Sequence, residues 1–293
     1  MMDPRIIAIE GLDGTGKQTI AEKLLEICKN CGINAKLVSF PRYDTQEGSL
    51  VKNYLKGFYG DPTSLSPLVS GALYTLDRRK YWLEETENHS EESEMTEIYI
   101  LDRGFYSNFM YQCSKLNTMG KIAEWLCENY LLEIETIPFV LNHYLKTYYI
   151  ELPESERLKQ MESRSEKDGH EKNLEYMDNC RKFVEMSRTD LFVNSVYEAA
   201  IMKYVVGSNG ILFNPQIIYY YKEYVKPVIS AHGETEEEID EIVTTLAQLI
   251  FEDIMAGRHS TVSEIHNDYG YSPQFSAPIV YHRPDRQTEE SEE

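Results

Sequence analysis

The chain has 293 residues, 49 acidic against 29 basic, for a formal net charge of −20. That excess of acid excludes a protein held to a nucleic-acid polymer by bulk charge, because backbone binding needs Lys and Arg to displace condensed counterions. At 42% hydrophobic and 27% charged residues there is apolar content for a sizeable core.

No apolar run approaches the roughly 18 residues of a membrane span, and Met1-Met2-Asp3-Pro4-Arg5 leads into a strand-like segment instead of a signal peptide. The expectation is a cytoplasmic protein without membrane attachment. Five cysteines (Cys28, Cys31, Cys113, Cys127 and Cys180), odd in number and without an export signal, read as free thiols in a reducing compartment. Cys28 and Cys31 form a C-x-x-C pair, but no second pair of ligand spacing completes a zinc site.

In chain order, β-rich apolar runs at 6–9, 35–40, 98–101, 147–150 and 201–206 alternate with helical patterns at 17–29, 48–55, 67–85, 106–113, 121–133, 154–163 and 171–188. This alternation is the signature of βαβ units. With the phosphate loop described next, it predicts a P-loop-type three-layer α/β/α fold on a five-stranded parallel sheet, occupying residues 1–230. Residues 84–97 carry seven acids and no Lys or Arg, a solvated helix end and loop. Residues 231–293 read as an acidic C-terminal extension: an amphipathic helix at about 234–256, then an irregular or disordered tail. They hold 15 acids against three arginines (Arg258, Arg283, Arg286), so most of the excess charge lies there.

The first strand feeds Gly11-Leu12-Asp13-Gly14-Thr15-Gly16-Lys17 and then a helix, the context a phosphate-binding P-loop requires. Glycines let backbone N–H groups turn inward on β- and γ-phosphates, Lys17 adds a point charge, and the helix dipole favours the anion. The expected ATP-binding residues are therefore Gly11, Asp13, Gly14, Thr15, Gly16, Lys17, Gln18 and Thr19. Gln18 stands where a Ser or Thr hydroxyl normally reaches Mg²⁺; its amide oxygen can serve directly or through water. The third strand ends in Asp102-Arg103, a carboxylate placed to hold Mg²⁺ and a guanidinium facing phosphate. Asp102 capping the next helix with Arg103 as its ion-pair partner is the alternative. The second strand ends in Phe40-Pro41-Arg42 and brings a further arginine to the same sheet edge.

These pieces, in order, resemble the thymidylate kinase (dTMP kinase) family: EGLDGTGKQT, FPRYD, YLKGFYGDP, ALYTLDRR, LDRGFYSNFMYQ and ESRSEKDGHEKN, over roughly residues 5–190. The likeness is greatest to its bacterial branch. The resemblance implies transfer of the ATP γ-phosphoryl group to dTMP, with Mg²⁺, in a homodimer. It implies that Asp13 contacts the sugar 3′-hydroxyl, Arg42 the acceptor phosphate, Tyr74 stacks on the base and Arg78 hydrogen-bonds it. Ser107 and Asn108 then line the base edge, with Gln112 following in the same helix, and Arg103 bridges donor and acceptor phosphates. Gly14 occupies a position where some members carry an arginine, which assigns the lid cation to Arg164, with Lys167 as a second candidate.

Tyr74 and Arg78, four apart, share a helix face and can address one base together; without the resemblance Tyr74 reads as core packing. The expected catalytic groups are Lys17, Arg103 and Arg164. A single methyl contact discriminates by only about 1–3 kcal/mol, so dUMP and 5-substituted pyrimidine deoxynucleotides remain candidates beside dTMP. A deoxynucleoside kinase and a non-catalytic nucleotide-binding protein are the rival readings.

Overall fold

The structure, a computed structural model, describes residues 5–88, 96–130, 144–162, 169–200, 225–230, 235–256 and 279–280. Its centre is β1 (Arg5–Glu10), buried continuously from Ile6 to Glu10, beside β3 (Ile98–Asp102), buried throughout. Unbroken burial instead of alternation marks strands covered on both faces. With β2 (Ala35–Ser39), β4 (Tyr144–Glu151), β5 (Val225–Ile229) and β6 (Ile279–Val280) they form a six-stranded parallel sheet, order β2-β3-β1-β4-β5-β6. The edge strand β2 is correspondingly more exposed.

The period-two alternation of β1 sorts its side chains into two cores. Ile7 and Ile9 join Ile98, Ile100, Tyr148 and Ile150 under two helices, α1 (Lys17–Asn30) and, far along the chain, Glu236–Ala256. Ile6 and Ala8 join Tyr99, Leu101 and an aromatic-rich layer from α4 (Phe105–Cys113) and α5 (Met119–Tyr130). That layer is completed by α7 (Leu174–Ser187) and α8 (Asp190–Ala200). Crossovers through α1, through α2 (Gln46–Leu55) and α3 (Pro67–Asn88), and through α4 and α5 return the chain so that β1, β2, β3 and β4 end at one edge, where ligands of open α/β sheets bind, and α6 (Glu154–Glu162) follows β4 at that edge.

The structure departs from expectation in two places. Among the described residues the sheet has six strands where five were expected; the run at 201–206 lies outside the described residues, and Val225–Ile229 and Ile279–Val280 are the strands beyond β4. Pro227 of β5 lacks an N–H and argues against a central strand in sequence, but β6 pairs only with Val228 and Ile229, past the proline. The helix expected at 171–188 runs Leu174–Ser187, and a further helix not expected from the sequence, α8, follows it, with Thr189 Oγ1 accepting from Phe192 N at 3.2 Å. Phe192 and Val196, both buried, sit one turn apart on the inner face of α8.

The helix expected at about 234–256 runs Glu236–Ala256 and is here α9. Its residues Ile242, Val243, Leu246, Ala247, Ile250 and Ile254 make a 3.6-residue stripe buried against α1 and the sheet. Asp253 accepts from Tyr148 Oη at 2.8 Å and Lys146 Nζ at 3.1 Å, tying α9 to β4. No helix among the described residues is long and apolar enough to cross a membrane.

Candidate active site

The turn from β1 into α1 places Gly11, Gly14 and Gly16 at φ 154°, 85° and 75°, in the half of conformational space that glycine alone enters freely. At Gly14 the constraint is steric as well. A Cβ would lie 2.8 Å from the backbone oxygen of Arg157 and 2.8 Å from Met161 Cγ, so α6 packs directly over the loop. Thr15 Oγ1 donates to Leu12 O at 3.0 Å and closes the turn. Lys17 Nζ donates to the same carbonyl at 3.3 Å and lies 3.5 Å from Asp13 Oδ1.

The loop opens on a crevice of about 450 Å³ lined by Gly16, Lys17, Gln18, Thr19, Asp102 and Arg103, with Phe40, Pro41 and Tyr43 opposite. Asp102 fits a divalent cation here: it is 7% exposed, and its Oδ1 is buried with no hydrogen-bond partner. A lone carboxylate supplemented by nucleotide phosphates is the usual way a protein holds Mg²⁺. Gln18 lines the same crevice, but its amide nitrogen donates to Glu22 along α1 at 2.9 Å.

Arg103, Phe40, Pro41 and Tyr43 line both this crevice and a second cavity, and the second is also lined by Asp13. Asp13 is ion-paired with Arg103 and accepts from Tyr111 Oη at 2.7 Å. Burial alone would raise its pKa; the charges of Arg103 and Lys17 and the tyrosine hydrogen bond outweigh that and hold it ionised, well below the usual carboxylate range. Arg103 has φ 67°, rare for a residue with a side chain, and its N–H donates to Ile9 O at 3.1 Å. This backbone conformation accompanies a side chain set between the two cavities.

The second cavity brings together Asp13, Tyr74, Arg78, Arg103, Ser107, Asn108 and Gln112, with Phe40, Pro41, Tyr43, Tyr111 and His170 completing the wall. Tyr74 meets Tyr54 edge to face at 6.1 Å. Asn108 Nδ2 donates to Gly71 O at 3.0 Å, an acceptor only, which turns Oδ1 away with no partner. Gln112 Nε2 is likewise buried without a partner. The Ser107 hydroxyl is committed to Glu10, whose other oxygen accepts from Gly104 N at 2.7 Å and Ser107 N at 3.1 Å. Glu10 thus anchors the positive end of α4, although burial raises its pKa.

Arg42 lines neither cavity. Its Nε and backbone N–H reach the Asp77 carboxylate at 2.9 and 2.8 Å, Nη2 reaches Asp77 O at 3.0 Å and Nη1 reaches Glu84 at 3.5 Å. Arg164 and Lys167 lie outside the described residues. Three further residues at the site were not among the expected site residues. Arg157, 3% exposed, donates from Nη1 to Asp13 O at 3.1 Å, a cation under the loop that, like Gly14, belongs to the α6 contact. Tyr111 sits one turn after Asn108, the only signal that could have marked it. His170 stacks on Tyr111 at 5.6 Å and 14°, and burial with the nearby Lys115 charge lowers its pKa to about 3, so it is neutral.

The thymidylate kinase family model matches residues 9–200. The chain is 33% identical over 124 residues to a thymidylate kinase of Mycobacterium tuberculosis, covering 41% of this chain and 56% of that protein. It is 27% identical over 198 residues to a probable thymidylate kinase of Thermococcus kodakarensis, covering 65% and 89%. The chain spans about half the length of several of the curated relatives it matches, 56% in the mycobacterial case. The thymidylate kinase structure from Candida albicans superposes with a TM-score of 0.50 at 18% identity, over 88% of this chain and 94% of that one, a likeness of fold.

Proposed function

Because the chain belongs to the thymidylate kinase family, we propose that it is an ATP-dependent nucleoside monophosphate kinase that converts dTMP to dTDP. The observation that carries this is the pair of cavities that share Arg103: a phosphate loop on one side, a wall carrying Tyr74, Arg78, Asn108 and Gln112 on the other. Among the residues of that wall Asn108 Oδ1 is an unpartnered acceptor and Gln112 Nε2 an unpartnered donor, and Arg78 lines the same cavity. An acceptor flanked by donors complements the N3–H and C4=O edge of thymine or uracil; cytosine presents the reverse pattern.

The acceptor is a phosphate oxygen, ionised near neutral pH, so no general base is required. The protein's task is alignment and charge neutralisation. Lys17 and the loop N–H groups hold the donor phosphates, and Arg103 spans donor and acceptor. Asp13, kept ionised, fixes Arg103 and offers its remaining lone pairs to the sugar. Arg164 is the lid cation of this reading. Asp102 would hold Mg²⁺ brought with ATP, which would supply further neutralisation of the transferring group.

The homodimer belongs to the same proposal. Val69, Leu76 and Leu83 recur every seven residues on one face of α3 and are 54%, 44% and 37% exposed, an apolar stripe suited to a second copy. Five free thiols, four of them buried, fit a reducing compartment such as the cytoplasm. The deciding assay is turnover of ATP and Mg²⁺ with dTMP, dUMP, dCMP and dGMP. Phosphorylation of dTMP and dUMP well above dCMP is expected; binding without turnover, or preference for an unphosphorylated nucleoside, would overturn the reading.

A further inference from the structure

Behind the wall of the second cavity three acceptors converge on the Lys115 ammonium, just past the end of α4. Nζ lies 2.8 Å from Pro62 O, 2.9 Å from Tyr54 Oη and 3.0 Å from Gln112 Oε1. Three ammonium protons thus meet three acceptors, and Lys115 does not itself line the cavity. Gln112 Oε1 has one further neighbour, Ser70 Oγ at 2.5 Å, which also stands 3.0 Å from Ser66 O.

These two neighbours constrain the Gln112 amide differently. A hydroxyl donates one hydrogen bond and accepts others, so Ser70 can donate to Ser66 O and receive the amide NH₂, or donate to the amide oxygen. It tolerates either end of the amide. An ammonium has no lone pair and tolerates only the oxygen. The orientation of Gln112 is therefore decided by Lys115, and its consequence is that Nε2, buried and without a partner, is the end of the amide turned away from Lys115 on a residue that lines the cavity. Asn108 is set independently, by Gly71 O.

We propose that Lys115 is a specificity-positioning residue. By holding the Gln112 amide oxygen away from the base, it makes the cavity favour a carbonyl over an amino group on the acceptor nucleotide. This rests on the reading of the cavity as the acceptor-base site. With the amide reversed, the wall would present two acceptors, and the exocyclic amine of a cytosine would meet a partner where a thymine carbonyl would meet repulsion. Leaving one buried group unpaired in this way lowers discrimination by about tenfold or more.

The test compares dTMP and dCMP, by calorimetric binding and by kcat/KM, in the full-length wild type and in Lys115→Met, Gln112→Leu, the double variant and Gln112→Glu, each checked by thermal melting. Lys115→Met is expected to lower the dTMP:dCMP ratio about tenfold, through KM more than kcat, and to have no further effect on the ratio in the Gln112→Leu background. An unchanged ratio in folded Lys115→Met, or the same drop without the Gln112 amide, overturns the proposal.

Should Lys115→Met fail to fold, Gln112→Glu decides. It keeps an oxygen on Lys115 and replaces the unpartnered NH₂ by a second oxygen, so the ratio must fall; an unchanged ratio again overturns the proposal. A wild type that neither binds nor phosphorylates dTMP overturns the acceptor-site reading and the proposal together. A wild type that prefers dTMP beside an insensitive Lys115→Met overturns only the proposal.

Discussion

Deleting residues 231–293 removes α9, and the loss can be sized from its contacts. Ile242, Val243, Leu246, Ile250, Phe251 and Ile254 are each at most 9% exposed, packed on Ile20, Leu24 and Cys28 of α1 and on the back of β1 and β4. Burying a large apolar side chain is worth about 1.5–3 kcal/mol. These six therefore contribute on the order of 10–15 kcal/mol, comparable with the roughly 5–15 kcal/mol that stabilises a whole domain. The Asp253 hydrogen bonds to Lys146 and Tyr148 go as well. The 1–230 chain is expected to show no cooperative transition in urea or on heating, followed by near- and far-ultraviolet circular dichroism. Nucleotide binding should vanish with it, because α1, at whose N-terminus the P-loop lies, loses its partner. Within the full chain, Leu246→Ala gives a graded version, a loss of about 3 kcal/mol. A 1–230 chain that melts cooperatively within a few degrees of the full protein would refute the reasoning.

Four further outcomes are expected. Lys17→Met lowers kcat by about 10²–10³ in a coupled ATPase assay while leaving the melting temperature nearly unchanged; a fall confined to KM would count against its role in the transition state. Arg42→Ala leaves the Asp77 carboxylate, 1% exposed, without its ion partner and costs about 3 kcal/mol in denaturant unfolding; a change below about 0.5 kcal/mol would contradict the placement. His170 has a folded pKa of about 3, below its ordinary 6.5, so stability is full above pH 6.5 and falls toward pH 3 as the unfolded chain takes up the proton. Its share of that slope approaches about 1.4 kcal/mol per pH unit, and His170→Asn should flatten it by that amount. Finally, Leu76→Glu in the exposed stripe of α3 should convert a dimer into a monomer in light scattering; an unchanged mass would place the interface elsewhere.

The parts of the site built from neighbours in sequence were legible in the order of the residues. The strand-loop-helix around Lys17, the Asp102-Arg103 pair at the end of β3, and the Tyr74 and Arg78 face of α3 depend on backbone periodicity and on glycines where φ must be positive. Local rules sufficed because each contact spans only a few residues. Arg42 shows where they stop. Its position at the end of β2 was readable, but its partner Asp77 is 35 residues away, and that carboxylate directs the guanidinium onto α3.

The chain itself determined the class of chemistry: a glycine-rich loop, a lysine, and arginines at strand ends can do little except bind and move phosphate. Tertiary structure decided how the amides of the second cavity are turned. Whether Asn108 and Gln112 present oxygen or nitrogen depends on Gly71 O and on Lys115, groups that no periodicity connects to them. The same holds for α9, whose sequence reads as an amphipathic helix without naming what it packs on, and whose apolar stripe meets α1, more than 200 residues earlier. An amphipathic helix specifies that a face must be buried but not against what, since hydrophobic burial has no direction and the partner is chosen only when the sheet assembles.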